Sequence, residues 1–361
     1  MSLLLRGLSR VASPQLLWPT AAREVGLLGT RAVGCRPTAL GWALTLRLRP
    51  PATATVLDAY VEPLATAFGV ARVRVAADPF RADRATVALD LRPSLGAVAY
   101  PDDSRLVWLP RVSATPVPLG IDEDGEEVRL PLYGSSLLVA GSPGSGKSTA
   151  LRTVLAGLAG QRDTALVGID PKRVELTPWR DRFSALVVGN EAEPTLRLLR
   201  DLVAEVQHRA TRLADQGLVA VHPDAETPAL VLVVDEWAEL AADGTSKQRA
   251  EAHDLLRRFV SLGRAVGCSA VLATQRPTSD TVDTGTRALL AHRLALRCGD
   301  RWQSEAILGQ GNDQAARIPL SSPGWGLLAS GPDLRGVQVY DLDPSRIPQQ
   351  QCRALAVPSP W

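Results

Sequence analysis

Residues 141–149 read GSPGSGKST, and Lys147 within them is one of only three lysines in a chain that carries 37 arginines. Where composition favours arginine this strongly, Lys147, Lys172 and Lys247 ask for work that a compact ammonium does and a planar guanidinium does not. The run satisfies GxxxxGK[ST], follows the strand-like LLVA and precedes the helix-like STALRTVLAGLAG, which is the context that motif requires. Gly141, Ser142, Pro143, Gly144, Ser145, Gly146, Lys147, Ser148 and Thr149 would then form a loop that turns backbone N–H groups toward the phosphates of ATP. Lys147 would reach the β and γ phosphates, and the Ser148 hydroxyl would hold Mg²⁺.

Hydrolysis needs a second acidic element. ALVLVVDEWAEL supplies one, with Val231 to Val234 leading directly into Asp235 and Glu236 at the carboxyl end of a strand, where open α/β sheets bind ligands. Asp235 would orient the Mg²⁺ shell, and Glu236 would act as base toward the attacking water. The competing assignment is an acid pair capping a helix after a buried strand. VLATQRP is a third strand ending in polar residues, where Thr274 or Gln275 could bond the γ-phosphate or the attacking water.

These residues need a scaffold. The runs SLLVAG, ALVGID, ALVVG, ALVLVVD, SAVLATQ and HRLALRC are short, unbroken and separated by helical stretches, the pattern of strands buried on both faces of a mostly parallel sheet. Ahead of them, WALTLRLR alternates, TATVLDAYVEPLATAFG is helical with Gly69 as a stop, and ARVRVA and ATVALDL alternate again. The expected division is a basic N-terminal arm at 1–40, a small α+β subdomain at 41–115, an ATPase domain at 116–345 and a tail at 346–361. Apolar content of 45% suits two cores, and a formal charge of +2 announces no polyanion partner by itself. Cys35, Cys268, Cys298 and Cys352 form no CxxC pair, which points to reduced packing residues in a cytoplasmic protein. Arginines at 23, 31, 36 and 47 interrupt the one region apolar enough to suggest a membrane span.

The segments LLVAGSPGSGKS, IDPKRVEL, VVDEWAEL, GRAVGCSAVLATQRP and HRLAL, in this order, resemble the motor of the FtsK/SpoIIIE family of DNA translocases over about residues 42–342. The resemblance implies a RecA-like P-loop NTPase of α/β class, preceded by the small α+β subdomain. It also implies a homo-oligomeric, hexameric ring that draws double-stranded DNA through its centre, with ATP and Mg²⁺ between neighbours. Arg293, in HRLAL, matches the arginine that such a ring donates in trans, with Arg276 and Arg264 as rivals. Lys172 matches a position near the subunit interface, and Lys247 with Arg249 falls in a loop facing the pore, where phosphate contact would serve any DNA sequence.

Three departures qualify the resemblance. No membrane-spanning segment precedes the motor, and only 20 residues follow Asp341, too few for a winged-helix DNA reader. In QSEAILGQG, Glu305 stands where relatives carry a basic residue near DNA, and Arg301 is close enough in sequence to take its place. The reading that results is an ATP-driven DNA translocase for conjugative transfer or chromosome partition, with a membrane or site-recognition protein as a further partner. The alternatives are a related ring ATPase that moves proteins in a secretion system, and a DNA-binding module with a regulatory nucleotide site.

Overall fold

A computed structural model describes residues 13–92, 94–100, 112–224, 227–278, 284–331 and 333–343. The 346–361 tail, the first twelve residues of the expected arm and Cys352 lie outside the described residues. Close contacts group the chain into two units, the first comprising residues 1–95 and 122–126, the second residues 96–121 and 127–361.

The first unit is built on a four-stranded antiparallel sheet. Its strands β1 (Thr30–Pro37), β2 (Gly41–Leu48), β3 (Arg72–Ala77) and β4 (Arg84–Asp90) lie in the order β1-β2-β4-β3. From Pro14 onward, the stretch expected as an arm folds into this unit. The helix Pro14–Glu24 buries Trp18, Ala21 and Ala22, and Trp18 stacks on Phe68 at 6.1 Å and donates its indole N–H to Thr30. β1 carries no fully buried residue, so its alternation leaves little apolar signal in the sequence. The helical stretch breaks into two pieces, Ala54–Asp58 and Val61–Phe68, the first capped by Thr53 and the second stopped by Gly69 at φ +65°. Asp90 is fully buried and accepts from the guanidinium groups of both Arg72 and Arg74, which also pair with Glu123. A carboxylate there is tolerable only because two fixed cations satisfy it.

The second unit contains the remaining strands: β5 (Val98–Ala99), β6 (Val117–Asp122), β7 (Glu127–Leu130), β8 (Leu137–Ala140), β9 (Thr164–Asp170), β10 (Phe183–Val188), β11 (Ala229–Val234), β12 (Cys268–Thr274), β13 (His292–Leu296), β14 (Trp325–Ser330) and β15 (Asp333–Asp341). The six apolar runs picked out in the sequence are the six parallel strands, ordered β10-β9-β11-β12-β8-β13. β14 and β15 extend the sheet antiparallel, the β6–β7 hairpin follows, and β5 pairs with β15. Every residue of β8, β9, β11 and β12 is buried, as expected of strands covered on both faces. Each fully buried Leu or Val contributes about 1.5–3 kcal/mol relative to exposure.

Helices cover those faces. Lys147–Ala159 presses so closely on the sheet that a Cβ on Gly157 would lie 2.4 Å from the Val117 side chain. The 25-residue helix Ala192–Gln216 buries Leu196, Leu199, Leu202, Val206 and Leu213 along one stripe. This is the mixed, mostly parallel sheet of a RecA-like P-loop ATPase. Among the described residues, no helix is long and apolar enough to cross a membrane. Cys35, Cys268 and Cys298 are free thiols, and burial pushes those of Cys268 and Cys298 up to about 12.

Candidate functional site

Register places the chemistry at one edge of the sheet. Thr274 pairs with Ala140, and Val234 lies between Ile169 and Leu272, so β8, β9, β11 and β12 end within two residues of one another. The residues that follow them, Gly141, Asp235 and Gln275, together with Asp170 at the end of β9, therefore converge without any long loop.

The loop after β8 is pinned by backbone. Gly141 N donates to Thr274 O at 3.3 Å, Ser142 N to Arg297 O at 2.8 Å, and Gly324 N to Ser145 O at 2.8 Å. Gly146 sits at φ +100°, and a Cβ there would fall 2.5 Å from the Gly324 nitrogen, so both conformation and space require glycine. The Ser145 hydroxyl is buried without a partner, an orphaned polar atom inside the cradle. Arg297 donates to the Pro143 carbonyl at 3.0 Å, bringing a guanidinium to the loop that sequence reading had not picked out. Thr149, in the first turn of the helix, accepts from Arg152.

Lys147 Nζ lies 2.6 Å from Asp235 Oδ1 and 3.0 Å from the Asp235 carbonyl, with the two side chains 4% and 1% exposed. The phosphate-loop lysine and the strand acid, 88 residues apart, thus form a buried ion pair. Burial pushes the Asp235 carboxyl above its ordinary range, Glu175 and Asp170 push the same way, and Lys147 pulls it down.

Glu236 is equally buried. Its Oε2 is 2.9 Å from Lys172 Nζ, and its carboxylate accepts the Gln275 amide at 3.0 and 3.2 Å. Gln275 therefore meets Glu236 through its backbone, and the Thr274 hydroxyl accepts from the Arg276 amide at 3.1 Å. The next residue, Trp237, is buried and donates to His253 at 2.7 Å, fixing the turn that leaves the strand.

The Ser148 hydroxyl donates to Glu175 Oε1. Glu175 belongs to the DPKRVEL segment after β9, and Asp170 organises that segment. Its Oδ2 accepts the amides of Leu176 and Thr177 at 3.0 and 3.1 Å, and its Oδ1 accepts the Val174 amide at 3.3 Å. Ser148 and Asp235 offer oxygen ligands, and Glu175 behind the serine hydroxyl adds negative charge, a setting that suits a hard divalent cation such as Mg²⁺.

Of the residues assigned on resemblance, Lys172 belongs to this cluster through Glu236, whereas Arg293, Lys247, Arg249 and Arg301 make their contacts elsewhere. Arg293, on β13 opposite Leu138, donates to the Ile307 carbonyl at 3.0 Å and leaves its Nε unpartnered. Burial, with Arg287 adding to it, pulls its guanidinium below the ordinary range. Lys247 is exposed on the first turn of the helix Ser246–Gly263, which Thr245 and Gln248 open with a capping box. Arg249, on the same turn, donates to the Gly244 carbonyl, so part of its capacity is spent holding the loop. Arg301 lies over the Trp302 ring at 4.4 Å and 3.6 Å from Glu305.

The FtsK/SpoIIIE family model matches residues 104–226. Protein Tra of Streptomyces lividans is 28% identical over 342 residues, 88% of this chain and 52% of that protein. Transfer protein TraSA of Streptomyces ambofaciens is 32% identical over 328 residues, 81% of this chain and 74% of that protein. The chain thus spans about half the length of Tra and three quarters of TraSA. Among solved structures, the pCW3 conjugation coupling protein TcpA, in a monomer form with ATPγS, superposes with a TM-score of 0.64 at 18% identity, covering 92% of this chain and 96% of that one.

Proposed function

The chain belongs to the FtsK/SpoIIIE family, and on that premise we propose that it hydrolyses ATP to move double-stranded DNA, as a ring of identical subunits, in conjugative transfer. The observation that carries the reading is the buried pair of Lys147 with Asp235, which joins the phosphate loop to the strand acid, with Glu236 beside it.

In this reading the backbone of 141–149 receives the ATP phosphates and Lys147 exchanges Asp235 for them. Mg²⁺, when bound, offsets phosphate charge, and Ser148 and Asp235 are the residues that would hold it. Glu236 aligns the attacking water and takes its proton, which requires that Lys172 give up its hold on the carboxylate. Arg293 would be supplied to a neighbour's site in a hexameric ring, and Lys247 and Arg301 would face DNA, with Arg249 shaping the loop. Domain roles follow the same premise, with the first unit as the small α+β subdomain ahead of the motor. The transfer protein TraSA and the conjugation coupling protein TcpA favour conjugative transfer over chromosome partition.

The test is ATP turnover against duplex DNA concentration at two salt levels, for the native chain and the Lys247→Ala/Arg249→Ala variant. Duplex of any sequence should stimulate turnover. Its apparent affinity should fall with salt at a log–log slope of about −0.9 per phosphate neutralised. The double variant should lose stimulation and keep its basal rate. Failure of duplex to bind or stimulate at low salt, alongside stimulation by a protein substrate, favours the secretion-type ATPase instead.

A further inference from the structure

We infer that Glu175 is a positioning residue for the metal at this site, acting as the acceptor that orients the Ser148 hydroxyl toward the cation. The inference rests on the nucleotide-site reading above. A serine that ligates a metal through an oxygen lone pair keeps its proton, and that proton needs an acceptor on the side away from the metal. Ser148 has one in Glu175 Oε1. A carboxylate in this position fixes the direction of the lone pairs and makes the hydroxyl oxygen a better ligand.

Glu175 is itself held in place. The buried Asp170 carboxylate takes the amides of Val174 and Leu176, the residues on either side of it, and Leu176 is fully buried. The side chain thus leaves a backbone fixed at both flanks, five residues beyond Asp170, the end of a fully buried strand. Such preorganisation has no purpose for a solvated surface acid.

The experiment measures equilibrium binding of ADP by titration calorimetry, at graded free Mg²⁺ and in EDTA, for the native chain, Glu175→Ala and Glu175→Gln. Bound Mn²⁺ is counted in parallel by electron paramagnetic resonance. In Glu175→Ala, the metal concentration that gives half of the Mg²⁺-dependent gain in affinity should rise about 10–100-fold, the range seen when an outer partner of a metal ligand is removed. Glu175→Gln, which keeps an acceptor oxygen and the side-chain shape, should shift less, and it carries the test should the alanine variant fail to fold. Affinity in EDTA should stay within about twofold in all three, since the phosphate loop is untouched. A less than twofold shift in Mg²⁺ dependence overturns the inference, and so does an equal loss with and without metal, which marks Glu175 as a structural prop. Absence of ADP binding by the native chain at every metal concentration removes the nucleotide-site reading itself.

Discussion

Replacing Lys147 with Met tests the central pair by stability alone, without any nucleotide. Met keeps the length and most of the volume of the lysine stem but removes the ammonium. Asp235 would then be left 1% exposed with its cation gone. Both partners are almost completely buried, so solvent screening offers no discount. Breaking such a pair by removing one member destabilises by about 3–5 kcal/mol. For a unit of this size that lowers the melting transition by about 6–20 °C, at about 2–4 °C per kcal/mol. The pH dependence gives the diagnostic. Asp235 already titrates above its ordinary value of 3.8 in the folded chain, and loss of Lys147, which pulls it down, must raise it further. A carboxyl whose folded pKa exceeds its unfolded one contributes stability below the unfolded value and loses it as pH rises through the folded value. The gap between native and Lys147→Met should therefore be small near pH 4 and widen toward neutrality. Adding Asp235→Asn should close most of it, because an amide there carries no charge to strand. Thermal unfolding of the three chains in EDTA, from pH 4 to pH 8, reads all of this. A gap that does not change with pH, or a double variant no better than Lys147→Met, refutes the electrostatic account.

Two further expectations concern turnover. Glu236→Gln should bind ATP with near-native affinity and turn it over about 10²–10⁴-fold more slowly, the usual worth of a positioned base; near-native hydrolysis, followed by phosphate release, would take Glu236 out of that role. Arg293→Ala subunits should be inactive alone and recover turnover when mixed with Lys147→Ala subunits, since some interfaces then pair an intact loop with an intact arginine. A native rate in rings made only of Arg293→Ala removes Arg293 from the site.

The fold was legible where burial was two-sided. A strand such as ALVLVV, buried at every residue, must be mostly apolar, and the four such strands, with β10 and β13 beside them, are visible as runs in the sequence. β1 alternates half-buried and exposed positions with none buried, and β15 opens with the exposed stretch DLR, so neither differs enough from a loop to be read from residues alone. The same contrast holds at the site. Lys147, Ser148, Asp235 and Glu236 announce themselves through spacing and context, because glycine geometry and strand ends constrain their neighbours. Glu175 and Asp170 do not, since their roles depend on a loop whose shape is set by side-chain acceptance of three backbone amides within seven residues. IDPKRVEL carried that information only as an acid followed by an acid, a pattern equally suited to a solvated turn.

The scarcity of lysine finds its physical reason in the pairs that β11 presents. Two of the chain's three lysines meet the two acids at the end of that strand, Lys147 on Asp235 and Lys172 on Glu236, while Arg72, Arg74 and Arg209 hold the buried structural acids Asp90 and Glu205. An arginine fork binds a carboxylate in two parallel bonds, which favours permanence. An ammonium is a point charge on a flexible stem and can exchange one anion for another by rotation about single bonds. On the proposed function, the site alternates between an empty state, with its acids neutralised, and a loaded state, with its acids free to act, and would need that exchange at both carboxylates. Lysine at 147 and 172 allows it, and arginine at Asp90, which never needs to let go, prevents it.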